Sequence, residues 1–121
     1  MYATIIRIRV FKNLKDSEHI IQYLYFDYDQ AEREARKIAD HRAKVKGQKY
    51  WTIEKKNYEG EAIKTWVFDD DVMLTLESDF WLYDIPSGKF YLKGPDFETK
   101  VFKDLNEATE YIESTQPRWE D

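Results

Sequence analysis

The sequence predicts an α+β domain: an antiparallel sheet meander of about six to eight strands with two helices, in the order ββα then ββββββα, the helices packed on one face. Three observations lead there. Residues 30–46 and 105–114 repeat apolar side chains at helical spacing, while most other segments alternate or run aromatic and β-branched between turn residues. Aromatic residues make up 17% of the chain, and each buries a large area. At 121 residues, the chain 1–121 has the length of one domain and buries roughly two-thirds of its unfolded surface without a staple.

Each element has its own signal. Residues 2–11 alternate, with Thr4, Ile6, Ile8 and Val10 on one face and Ile5, Arg7 and Arg9 on the other. This is the pattern of a half-buried strand. After a polar turn from Asn13 to Glu18, His19–Tyr28 reads as the return strand of a hairpin. Asp29 and Glu32 stand at capping-box spacing, and Ala31, Ala35, Ile38, Ala39 and Val45 form an apolar stripe that ends at Gly47. The runs Lys49–Tyr58 and Ala62–Phe68 form a second hairpin around Gly60. Val72–Glu77, Phe80–Ile85, Lys89–Lys93 and Phe97–Phe102 read as four further strands, with Pro86-Ser87-Gly88 and Gly94-Pro95-Asp96 as turns. Asp104 and Glu107 repeat the capping spacing before a helix over 105–114 with Leu105, Ala108 and Ile112 inward, and Pro117 ends it. The first five elements, ββαββ, also fit the element order of a β-grasp core.

Composition excludes several functions. Without cysteine there is no disulfide, thiol nucleophile or thiolate metal site, which fits a reducing, cytoplasmic setting. No apolar run approaches the length that spans a membrane as a helix, and the N-terminal residues lack the apolar core of a signal peptide. The two histidines, His19 and His41, have no serine at motif spacing, and the four glycines are scattered rather than gathered into a phosphate-cradling loop. No catalytic residue and no cofactor are expected.

Charge is the strongest functional signal. Residues 33–56 carry nine bases against three acids, whereas residues 57–121 carry six bases against sixteen acids. Sign clustered in this way creates a field that a partner reads. On a helical wheel Arg33, Arg36, Lys37, Asp40 and Lys44 form a solvent stripe, and the next strand adds Lys49, Lys55 and Lys56 among Tyr50 and Trp51. A basic stripe beside aromatics suits phosphate neutralisation with base stacking. Arg42 falls inside the apolar stripe, where it snorkels or pairs with an acid. Asp69-Asp70-Asp71 reads as a solvated loop rather than a Mg²⁺ or Ca²⁺ site, and Glu77, Asp79 and Asp84 extend a negative surface. Glu54/Lys56 and Glu98/Lys100 have the spacing of a metal-dependent hydrolase site, Glu98 with Asp84 as its third group.

Aromatics supply the other signal. In Phe80–Tyr83 and Phe90–Leu92, alternation puts Phe80, Leu82, Phe90 and Leu92 on one face and Trp81, Tyr83 and Tyr91 on the other. One set fills a core, and the other needs a cover. The leading expectation is therefore a small non-catalytic binding or regulatory protein of inhibitor or adaptor type, such as viruses and mobile elements encode. It would meet a protein partner, or a second copy of itself, through Trp51, Trp66, Trp81, Tyr83 and Tyr91. The alternative is nucleic-acid binding by Arg33, Arg36, Lys37, Lys44, Lys49, Lys55 and Lys56, and the third reading is the metal-dependent hydrolase. A membrane partner is not expected.

Overall fold

The computed structural model describes residues 1–12, 21–54, 62–70, 72–95 and 97–119. Seven strands form one antiparallel sheet: β1 (Ala3–Lys12), β2 (Ile21–Tyr25), β3 (Tyr50–Glu54), β4 (Ala62–Phe68), β5 (Val72–Asp84), β6 (Phe90–Gly94) and β7 (Phe97–Phe102). Two helices accompany them, α1 (Tyr28–Lys46) and α2 (Leu105–Ser114). The α+β meander is thus what the chain forms. The β-grasp alternative fails, because β1 lies antiparallel to both of its neighbours, β2 and β5.

β5 organises the sheet. Along one side it pairs with β1 from Val72 to Leu82. Along the other it pairs first with β4 and then, from Trp81 to Asp84, with β6. The sheet therefore divides into two halves sharing β1 and β5: β2-β1-β5-β4-β3, and β1-β5-β6-β7. The two strands expected at 72–77 and 80–85 are one strand of 13 residues. Between them the register slips: Ile5 pairs with Phe80 but Arg7 with Glu77, so β5 uses one residue more than β1. This is a β-bulge at Ser78-Asp79, and it inverts the inward phase of β5.

The inversion places the helices. Ile6, Ile8, Tyr25, Trp66, Phe68, Leu74 and Leu76 pack with Ala31, Ala35 and Ala39 of α1. Ile5, Leu24, Phe80, Leu82, Leu92 and Phe102 pack with Ala108 and Ile112 of α2. Ile5 and Ile6 are consecutive in one strand, as are Leu24 and Tyr25, so the two clusters occupy opposite faces. The expectation of both helices on one face is corrected by this: β5 turns its apolar set over at the bulge, and each half of the sheet buries a different side.

Local chemistry fixes the helix ends. Asp27, not Asp29, caps α1, its carboxylate accepting from the N–H groups of Asp29 and Gln30 at 3.3 Å each. Gly47 closes the helix at φ 62°, the left-handed conformation that glycine adopts without strain. Val45, expected in the apolar stripe, is 66% exposed at the last turn. Asp104 caps α2 by accepting from Glu107 N–H at 2.9 Å, and Glu107 reaches back to accept from Lys103 N–H at 3.1 Å, one residue before the cap. Beyond α2, the Thr115 hydroxyl accepts from Leu24 N–H at 2.8 Å and Gln116 donates to Leu24 C=O at 2.9 Å. The tail thereby satisfies the outer edge of β2 and carries the chain from the α2 face round to α1.

Candidate functional site

The five aromatic candidates separate into three environments. Trp66 is 1% exposed and belongs to the core beneath α1, because it pairs with Leu74 on the face that α1 covers. It is removed from the docking set. Trp51 is 53% exposed and opposes Val67, on the face away from α1. Trp81, Tyr83 and Tyr91 come together on the α1 side of the other half of the sheet, where neither hydrophobic cluster includes them. Tyr83 and Tyr91 face each other across β5 and β6 with ring centroids 4.8 Å apart and 12° between planes. Trp81 faces Lys93, and Val101 of β7, 58% exposed, extends the row beside Tyr91. Val101 was not legible as part of this surface, because only the β6–β7 register sets it beside Tyr91.

The basic candidates gather partly. Arg33, Arg36, Lys37 and Lys44 line a cleft of about 450 Å³ on the outer side of α1. The cleft is completed by Asp40, His41 and Trp119. Trp119 donates from Nε1 to the Glu34 carboxylate at 2.5 Å, and its ring stands edge-on to His41 with centroids 5.8 Å apart. The Lys37 ammonium lies 4.5 Å from the centre of the same ring. Arg36 is held by Glu32 at 3.1 Å. Lys49 is exposed but does not line the cleft, and Lys55 and Lys56 lie outside the described residues. Tyr50 donates to Asp40, which raises the Tyr50 pKa, while Trp51 points to the other side of the sheet. The expected interleaving of strand aromatics with basic residues is replaced by one tryptophan from the tail.

The acids expected at the surface are partly internal. Glu77 and Asp79 are 3% and 8% exposed, and both bind the buried guanidinium of Arg7. Arg9 reaches Glu77 at 2.7 Å, Thr75 donates to Glu77 at 2.7 Å, and Arg7 also contacts Gln22 at 3.3 Å. Burial raises the Asp79 pKa to about 6 against the pull of Arg7; burial pushes Glu77 up as well, but Thr75 and the two arginines together hold it below its usual value. Two arginines at alternate positions of a half-buried strand signal such a network, because their acids must come from the neighbouring strand.

Other candidates resolve simply. Arg42 pairs with Asp70 at 3.0 Å and lies over the Phe68 ring, a structural role. Asp69 is exposed, Asp71 lies outside the described residues, and no group of acids and histidines among the described residues converges as a metal site. Asp84 pairs with Phe90, which pairs with Phe102, so Glu98 stands four residues away along β7, about 13 Å in a strand. The Glu98/Lys100 site is not assembled, and Lys100 lies instead over the Tyr111 ring at 4.3 Å. Lys56 of the Glu54/Lys56 pair and His19 fall outside the described residues. Among the described residues no helix is long and apolar enough to cross a membrane.

The chain matches no protein-family model, and no curated protein or solved structure shows significant similarity to it.

Proposed function

We propose that the protein is a small non-catalytic binding protein of inhibitor or adaptor type, acting in the cytoplasm, that docks a protein partner on Trp81, Tyr83, Tyr91 and Val101. One observation carries this reading. The β5 bulge sends Phe80 and Leu82 to the core under α2, and so leaves the alternate set on a sheet face that neither cluster covers. Tyrosine and tryptophan are favoured in interface centres because they combine large rigid area with a polar tip. Lys93 and Thr99, exposed on the same strands, supply polar groups around the aromatic row. Trp51, on the opposite face of the other half, does not belong to this surface.

The test is the size of the protein as released from its own cells without denaturant, compared with a Tyr83→Arg chain made the same way. The reading expects a complex larger than one chain for the native protein and a single-chain species for the variant, with unchanged circular dichroism. A native single-chain species, or a variant that keeps its partner, contradicts it.

A further inference from the structure

We propose that the cleft between α1 and the C-terminal tail binds a single-stranded nucleic acid, with its phosphates along Arg33, Lys37 and Lys44 and one base on Trp119. The site is separate from the aromatic docking face and does not depend on it.

Four facts support the assignment. The cleft brings four cations to one side of a helix with a single carboxylate, Asp40, among its lining groups. Asp40 is engaged by the Tyr50 hydroxyl, and among the described residues no carboxylate lies in ion-pair range of Arg33, Lys37 or Lys44. Among the described residues these three cations are in no ion pair, and they are available to an anion. From Arg33 to Lys44 the helix rises about 16 Å, so the charges form a row that tracks a strand rather than a point that grips one phosphate.

Trp119 gives the row its second component. The tail has no need of a large aromatic on the outer, polar side of α1, yet the ring is fixed there by Glu34, Lys37 and His41. The two hydrogen bonds to Leu24 deliver the tail to that position. An anchored ring beside unpaired cations is the arrangement that stacks a base while its phosphates are neutralised. The volume of about 450 Å³ lies within the range of small-ligand pockets and suits one nucleotide unit at the ring.

The acidity of the whole chain does not oppose this. α1 carries six bases and four acids, whereas α2 carries three acids and no base. The helices lie on opposite faces of the sheet, and at physiological salt, fields fade over about 8 Å. A duplex is the poorer fit, because base stacking on Trp119 requires an unpaired base. An acidic peptide would satisfy the cations but leave the ring unused.

Fluorescence anisotropy of labelled ten-nucleotide thymidine DNA and uridine RNA, titrated with the full chain, tests the site. Binding is expected at low salt. With three phosphate contacts, affinity falls about 20-fold between roughly 50 and 200 mM salt. Trp119→Ala weakens binding about tenfold and Trp119→Phe restores much of it. Arg33→Ala with Lys44→Ala makes the slope of log affinity against log salt shallower by about 1.4. All these residues except Trp119 are exposed, and the thermal midpoint of each variant verifies that it is folded. The proposal is overturned by absence of binding at low salt, or by equal binding of a duplex of the same length. Displacement by polyglutamate as effective as by the oligonucleotide also overturns it, as does a folded Trp119→Ala chain that binds unchanged. Thymidine monophosphate binding as tightly as the oligonucleotide would make this a free-nucleotide site and overturn the strand assignment.

Discussion

At the scale of single residues, the costliest arrangement is Arg7 between Glu77 and Asp79. Burying three charges is tolerated only while they are paired, so removing the cation exposes the full desolvation cost of two acids. Arg7→Leu should lower unfolding free energy by about 3–5 kcal/mol, read from urea denaturation at neutral pH. The pH dependence follows from the same cluster. Asp79 titrates near 6 in the folded chain against an ordinary 3.8, so between those values the folded state keeps a proton that the unfolded chain has lost. Stability contributed by Asp79 therefore falls as pH rises from about 4 to 6 and is level above. Glu77 acts in the opposite sense: its contribution is present above the ordinary 4.5 and is lost as pH falls through its lowered value. The groups acting on Asp79 are Arg7 from β1 and Glu77 from β5, of which Glu77 alone titrates in this range. Asp79→Asn should remove the decline between pH 4 and 6, so that the urea midpoint of the variant gains on that of the native chain across the window. A constant difference would place the titration elsewhere.

At the scale of elements, the decisive feature is the bulge in β5. Deleting Ser78 would restore simple pairing with β1 and thereby turn Phe80 and Leu82 away from α2. The expected result is loss of cooperative unfolding, seen as a broad thermal transition by circular dichroism. Nearby, Gly94 lets β6 approach the Phe80 ring, which a Cβ would meet at 2.6 Å. Gly94→Ala should therefore cost about 1–3 kcal/mol, measured as a lowered urea midpoint. These positions also mark how far the sequence could be read. α2 was legible to the residue, since Asp104, Glu107 and the Leu105, Ala108, Ile112 stripe are local signals. The strands were legible as segments for the same reason. The bulge was not, because Ser78-Asp79 looks like a break between two strands until the β1 register is known. With it went the placement of both helices on one face.

At the scale of the whole molecule, the bulge makes two half-sheets that bury opposite sides, and each leaves its other side without a helix. Basic α1 and acidic α2 then lie on opposite faces, which gives the charge separation seen in the sequence a spatial form. Trp81, Tyr83 and Tyr91 could be grouped from alternation alone, but Trp66 could not be assigned to core or surface without knowing which side of β4 α1 covers. Trp119 is not legible as a site residue, because nothing in the tail predicts that it crosses the β2 edge. The Trp81–Tyr83–Tyr91 face is half-buried in the free chain, and the proposed partner covers it in use. Hydroxyl-radical footprinting reads this directly, by mass spectrometry of the isolated chain and of the assembly recovered from its native cells. Trp81, Tyr83 and Tyr91 should be oxidised in the isolated chain and protected in the assembly, with core Trp66 low in both. Equal oxidation of the three residues in the two samples would contradict it.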